Sequence, residues 1–454
     1  MLGFRQVGLK TDTENLEKDI TRLSSTFADA KKALSINWKQ VQEKLKPNEV
    51  AIDLVSFDFY DKKWTGEVMY GAFVITKDSK FPKYISLFEE KALSKLLERN
   101  NLANDTIQAN AINKQYMEKE LASLFFEPLK NELKNKEVCY LSLSGLAHQV
   151  NFTALDVAPF IENKKAMKFH ILNSPSELLS YQSARFSTQK NMEFLLFGGI
   201  NYEKSNALVS KETTDELEME VTIHKDLETR SGIEKFGYLN GTYTEVKQIE
   251  AAAKNKGFAT QLFTETNATE EQIKSLSGKT TPYVLHLATH GFFFPNPDKE
   301  LPKEGFLLDG KSNLYKRSDD PMFRSGLLLA GANKFWRKPN NEKIEDGILT
   351  ANEISNLDLS ACQLVVLSAC ETGLGQIKGS EGVFGLQRAF KMAGAKNIIM
   401  SLWKVPDAQT SELFHYFYTE CFNGKSVHDA FQSAQEQMKS KYNPYFWAGF
   451  ILLE

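Results

Sequence analysis

The sequence predicts an α/β protein built on parallel strands, and three observations carry that prediction. Short apolar, β-branched runs at residues 283–289 and 364–369 stop abruptly at small and polar residues, as buried parallel strands do where they empty into loops. Runs of the same kind recur at 138–145, 194–200 and 398–403. Between them lie stretches whose apolar residues return at three- and four-residue steps, the helical period that covers the faces of such a sheet.

Length and composition bound the function. At 454 residues the chain exceeds one ordinary domain, so two or three units are expected. A net charge of -3 and a pI near 6.3 give no electrostatic basis for nucleic-acid binding. No apolar run reaches membrane-spanning length, and the first five residues do not open a signal peptide. Cys139, Cys362, Cys370 and Cys421 are scattered without a paired framework, which fits a reducing cytoplasm.

Residues 1–46 read as helix: Leu16, Ile20, Leu23, Phe27, Ala30 and Leu34 form a stripe that Trp38, Val41 and Leu45 continue up to Pro47. Strands follow at 50–57 and 68–75, bounded by turn formers as in a meander. A mostly helical stretch over 89–135 leads to the 138–145 strand, which ends near Ser144, Gly145 and His148. No acid orients His148 and no nucleophile-elbow pattern surrounds Ser144, so a second hydrolytic site is not expected there. Cys139 is expected to be a core thiol.

A new unit opens at about residue 192. The polar interval 201–237 reads as a loop, 244–253 as a helix, 258–263 as a strand, and Thr269 as the N-cap of a further helix. Next comes the strand ending in His286-Leu287-Ala288-Thr289-His290-Gly291. A long insertion, 292–341, contains a strand-like segment at 325–332 and separates it from the strand ending in Leu367-Ser368-Ala369-Cys370-Glu371-Thr372-Gly373. Ligand crevices of open α/β sheets lie beyond the carboxyl ends of the strands, so neighbouring ends would bring His290 and Cys370 face to face. That is a pair suited to nucleophilic catalysis, since an imidazole beside a thiol favours the attacking thiolate.

These two motifs, with Glu381-Gly382-Val383-Phe384-Gly385-Leu386-Gln387-Arg388-Ala389-Phe390 and Ser401-Leu402-Trp403-Lys404-Val405-Pro406-Asp407, resemble a bacterial CHAT domain. That family groups with caspases, gingipains and separase. The resemblance runs from about residue 50 to 450. It implies a caspase-haemoglobinase-like sheet flanked by helices, with an inactive pseudo-caspase half at 47–191 and an active caspase-like protease half at 192–454. Residues 1–46 are then either the end of a tetratricopeptide array or a helical arm of the core. The implied activity is cysteine endopeptidase action on a protein or peptide substrate, with Cys370 as nucleophile and His290 as general acid/base. The N–H groups of Gly291 and Cys370 would form the oxyanion hole.

Substrate-binding positions implied by the same likeness are Asp407, Glu371 and Trp403. Asp407 resembles the acidic residue that pairs with arginine in separase-like relatives; its other reading is the N-cap of a helix over 408–422. His286, inside its strand, is expected to be a buried hydrogen-bonded support. A zinc site of His286, His290 and a cysteine lacks the usual ligand spacing, and the glycines after Cys370 lack the Lys-Ser/Thr ending of a phosphate loop. No metal and no cofactor are expected. The alternative function is a scaffold of the same fold that stays closed until an activating partner docks.

Overall fold

A computed structural model of the chain describes residues 35–98, 105–161, 167–187, 192–204, 235–294, 315, 318–336, 345–369, 376–377 and 383–454. The stripe from Leu16 to Leu34, most of the 201–237 interval, Cys370, Glu371 and the glycines at 373, 375, 379 and 382 lie outside them.

The described chain begins with α1 (Trp38–Lys44), which Asn37 and Gln40 close with a reciprocal capping box. Val41 and Leu45 bury against Ala51, Ile75 and Leu172. A meander follows: β1 (Glu49–Tyr60), β2 (Trp64–Thr76) and β3 (Lys83–Glu89), each antiparallel to the last. Helices α2 (Glu90–Leu97), α3 (Asp105–Met117), α4 (Glu120–Phe126) and α5 (Lys130–Leu133) lead to β4 (Val138–Ser142) and β5 (Lys168–Leu172). The second stretch contributes β6 (Glu193–Ile200), α6 (Asn240–Asn255), β7 (Ala259–Glu265), α7 (Glu270–Lys274) and β8 (Val284–Ala288). Thr269 occupies the N-cap of α7 as expected, but its side chain makes no capping bond.

Part of the long insertion lies within the described residues. Strands β9 (Gly291–Phe293), β10 (Ser325–Leu328) and β11 (Ile348–Thr350) form a separate antiparallel sheet in the order β11-β10-β9. The short helices α8 (Ala332–Phe335) and α9 (Ala351–Ser355) flank β11. β12 (Leu364–Ser368) is followed by a small hairpin, β13 (Gln376–Ile377) with β14 (Val383–Phe384). The helix that follows, α10 (Leu386–Met392), starts only after this hairpin, because 383–384 are held in strand pairing. β15 (Asn397–Ser401), α11 (Asp407–Phe422), α12 (Val427–Lys439) and β16 (Phe450–Leu453) close the chain.

Among the described residues, eleven strands make one sheet in the order β3-β2-β1-β4-β5-β16-β15-β12-β8-β6-β7. β1, β4, β5 and β16 run parallel to one another, while β16 is antiparallel to β15. β15, β12, β8, β6 and β7 are again mutually parallel. The two groups thus point in opposite directions, and their carboxyl ends open on opposite edges of the sheet. Ser144 and His148 follow β4 and face away from the edge that carries His290.

Both of those residues are built into the core. Ser144 Oγ accepts from Ser56 N at 3.2 Å and pairs with Ser56 Oγ at 2.9 Å. Burial pushes the His148 imidazole down to about 4, against a hydrogen bond with the Leu143 backbone that raises it. At the seam, Glu454 N donates to Ile171 O, while His170 and His428 stack at 3.9 Å and both donate Nδ1–H to Glu454 Oε2, at 2.6 and 3.0 Å. Burial alone would raise the Glu454 carboxyl, but these two imidazoles hold it down at about 2.

Candidate active site

Two parallel strand ends define the site. β8 and β12 pair in register from Leu364 opposite Val284 to Ser368 opposite Ala288, and Thr289 N donates to Ser368 O at 3.3 Å. Both runs are wholly buried and, apart from His286 and the terminal Ser368, β-branched or apolar, the composition a strand needs when helices cover both of its faces. His290 stands two residues beyond Ala288, and Cys370 follows two residues beyond Ser368. Cys370 and Glu371 lie outside the described residues; Ala369, just before them, is buried and accepts Ser401 Oγ–H at 2.6 Å on its carbonyl.

His290 is half-buried and oriented from three sides. Its Nε2–H donates to Gly237 O at 2.9 Å, which assigns the proton to Nε2 and leaves Nδ1 as the acceptor of the neutral ring. Tyr202 and Phe236 flank the imidazole, with ring centroids 5.0 and 5.2 Å away. His290 N donates to Tyr202 OH at 3.3 Å, and that hydroxyl lies 3.0 Å from Thr289 Oγ1. Burial lowers the imidazole below the ordinary histidine range; Gly237 O and the Asp407 charge push it back up, and Lys404 adds to the lowering.

The small sheet of the insertion supports this arrangement. Leu328 N donates to His290 O, and Phe294 N to Arg324 O. In an antiparallel ladder that spacing puts residues 290, 292 and 294 in the hydrogen-bonded pairs, so the Gly291 N–H points away from β10. Asn333, just after it in the insertion, clamps the segment before Gly237: Phe236 N donates to Asn333 Oδ1 at 2.8 Å, and Asn333 Nδ2 returns to Phe236 O at 3.0 Å. Sequence reading does not find Gly237, Phe236, Tyr202 or Asn333. A carbonyl contributed by the backbone leaves no mark on residue identity.

Asp407 lies at the same edge, and the N-cap reading of it is corrected. The cap of α11 is Pro406; Asp407 is the first helical residue, exposed, with no side-chain capping bond. A Cβ on Gly241, near the start of α6, would come within 2.6 Å of Asp407 Cβ, so the glycine allows the two helix starts to meet. Trp403 is also corrected. It is 1% exposed, its Nε1–H donates to Tyr445 O at 2.9 Å, and its ring lies 5.8 Å from Tyr116. Its indole is a core side chain with no face turned to the crevice.

His286 is completely buried within β8. Its Nε2 is 2.7 Å from Glu245 Oε1 on α6 and its Nδ1 is 3.0 Å from Tyr418 OH on α11. Both ring nitrogens are thereby engaged, the support role its position predicts. Cys139, Cys362 and Cys421 are buried free thiols, each pushed up by burial, Cys362 to about 12. Among the described residues, no helix is long and apolar enough to cross a membrane.

The model of the CHAT domain matches residues 116–454. Over 108 residues the chain is 35% identical to tetratricopeptide repeat protein 28 of Homo sapiens, and equally to that of Mus musculus, covering 23% of this chain and 4% of each relative. The chain thus spans a small fraction of the curated relatives it matches. The Saccharomyces cerevisiae separase-securin complex aligns with a TM-score of 0.46 at 10% identity, over 91% of this chain and 30% of that one. The Arg-specific cysteine proteinase gingipain R aligns with a TM-score of 0.37 at 10% identity, over 80% and 74%. Because the CHAT match takes in more than half of the sequence, including both strand ends described above, the chain belongs to the CHAT domain family.

Proposed function

We infer that the chain is a cysteine-type endopeptidase in which Cys370 is the nucleophile and His290 the general acid/base. The observation that carries this reading is the register of β8 and β12, which sets Ala288 opposite Ser368 and starts the two catalytic loops level with each other. The state of the thiols supports it as well, since the three other cysteines are buried with their thiolates disfavoured.

The chemistry follows from the imidazole's orientation. With Nε2–H held by Gly237 O, Nδ1 takes the proton of the Cys370 thiol, and the thiolate attacks the scissile carbonyl. The oxyanion is met by the N–H groups of Gly291 and Cys370, each typically worth ~3 kcal/mol of barrier. His290 then gives its proton to the leaving amine, and a water molecule deprotonated by the same imidazole releases the acyl group. Asp407, at the same edge, selects a basic side chain before the cut by a charge-assisted hydrogen bond. Residues 47–191 serve as a non-catalytic half, in keeping with the buried Ser144 and His148 on the far edge.

The test is intact-mass labelling with electrophilic peptide probes carrying Arg, Leu or Asp, on wild type and on Cys370→Ala. One adduct on wild type alone, with the Arg probe fastest, is the expected result. If no probe labels while a small thiol reagent still modifies Cys370, the chain is a closed scaffold awaiting a partner. If that reagent also fails, Cys370 is not an accessible nucleophile and the assignment falls.

A further inference from the structure

The strand that delivers His290 also carries a buried hydrogen-bonded cluster for which the proposed chemistry has no direct use. His286 stands inside β8, two residues before its last residue Ala288, and His290 stands two residues beyond that end, so no more than about 14 Å of chain separates the two. His286 binds Glu245 and Tyr418 at once, at 2.7 and 3.0 Å, and His286 and Glu245 are 0% and 2% exposed.

A buried pair of this kind is a poor source of stability. Taking such polar groups out of water costs about as much as the bonds between them return, and apolar residues of similar volume often do as well. What it supplies is direction, because a hydrogen bond between a carboxylate and an imidazole fixes a distance and an angle where apolar packing fixes neither. The elements it joins are the ones that build the site. α6 is led in by Gly237, whose carbonyl holds His290; α11 begins with Asp407, which packs on Gly241 of α6; β8 ends at Ala288, two residues before His290.

We propose that the Glu245–His286–Tyr418 cluster is a positioning device that sets α6 and α11 on β8, and through them the His290–Gly237 hydrogen bond and the approach of Asp407. Its catalytic consequence rests on the peptidase reading above; its effect on His290 does not. The three residues touch neither substrate nor the reacting atoms. They act through the Gly237 carbonyl.

The experiment uses the full chain, with 15N-labelled histidine and His290 assigned by loss of its signal in His290→Gln. Two readouts are taken: which ring nitrogen of His290 carries the proton across pH, and the rate at which an Arg chloromethyl ketone alkylates Cys370. The double variant Glu245→Leu/His286→Leu replaces the pair by apolar groups. It is expected to fold, to turn the single Nε2–H form of His290 into a mixture of tautomers, and to slow alkylation ~10- to 100-fold, the scale of a misplacement near 1 Å. Glu245→Gln, which keeps an acceptor for His286, is expected to retain the wild-type tautomer. A folded double variant with wild-type tautomer and rate overturns the proposal. Should it fail to fold, Tyr418→Phe decides by the same readouts, an unchanged tautomer and rate overturning it and a shift in the same direction supporting it. If wild type is not alkylated at all, the peptidase reading has failed, while the tautomer still decides the positioning role.

Discussion

Gly237 O lies 2.9 Å from His290 Nε2 and comes from a segment 53 residues earlier in the chain. The histidine is therefore oriented by a backbone carbonyl where a carboxylate would be the familiar partner. A carbonyl fixes the tautomer without a full negative charge against the ring, so burial dominates and the imidazole sits below its ordinary range.

This has a consequence for pH. A lowered pKa keeps the ring neutral, and able to accept the thiol proton, to lower pH than an unperturbed histidine. The acid limb of kcat/KM on a peptide substrate is expected to have its midpoint below about 6.5. Asp407→Asn removes a charge that raises the pKa and moves the limb further down; Lys404→Ala removes one that lowers it and moves the limb up. Shifts of the opposite sign would contradict the placement of both charges.

Removing the imidazole itself with His290→Ala is expected to lower kcat/KM by ~10²- to 10⁴-fold, the usual contribution of a general acid/base. The thermal midpoint should move little, because the ring is only half-buried. Equal loss of both would mark His290 as structural.

Substrate choice tests Asp407 separately. Asp407→Asn is expected to reduce the preference for Arg over Leu probes by ~10-fold or more while leaving the Leu rate within ~3-fold, the signature of a lost charged contact in place of a lost catalyst. An unchanged preference removes Asp407 from the pocket.

Trp403 gives the converse case. Trp403→Ala is expected to cost ~3–5 kcal/mol in a denaturation measurement, from a large cavity and a stranded Tyr445 carbonyl, with probe preference unchanged in the folded fraction. A change of preference with normal stability would return the indole to the substrate side.

At the seam, Glu454 has a folded pKa of about 2, below its ordinary 4.5. A depressed carboxylate contributes stability that is complete above about 4.5 and lost as pH falls towards 2. Glu454→Gln is thus expected to lower stability at pH 5 and above, with the gap to wild type closing between about 4.5 and 2. The groups facing this carboxylate are His170, His428, Tyr181 and, at longer range, Tyr140 and Lys391, so wild type and variant are compared over the same narrow window. A gap that widens on acidification would contradict the clasp.

The sequence by itself determined the class of fold, the strands that carry His290 and Cys370, and the support role of His286. Those features are local: a buried parallel strand needs a run of Val, Ile and Leu, its end needs small and polar residues, and both are written in adjacent positions. Only the tertiary structure decided the rest. It placed Ser144 on the far edge, because β16 is antiparallel to β15 and parallel to β5, across more than 280 positions of chain. It buried Trp403 under Tyr445 and Tyr116, made Asp407 a helical residue instead of a cap, and chose a Gly237 carbonyl to hold His290. Burial depends on what packs against a side chain, and every residue offers the same carbonyl, so neither is a property that a stretch of sequence can carry.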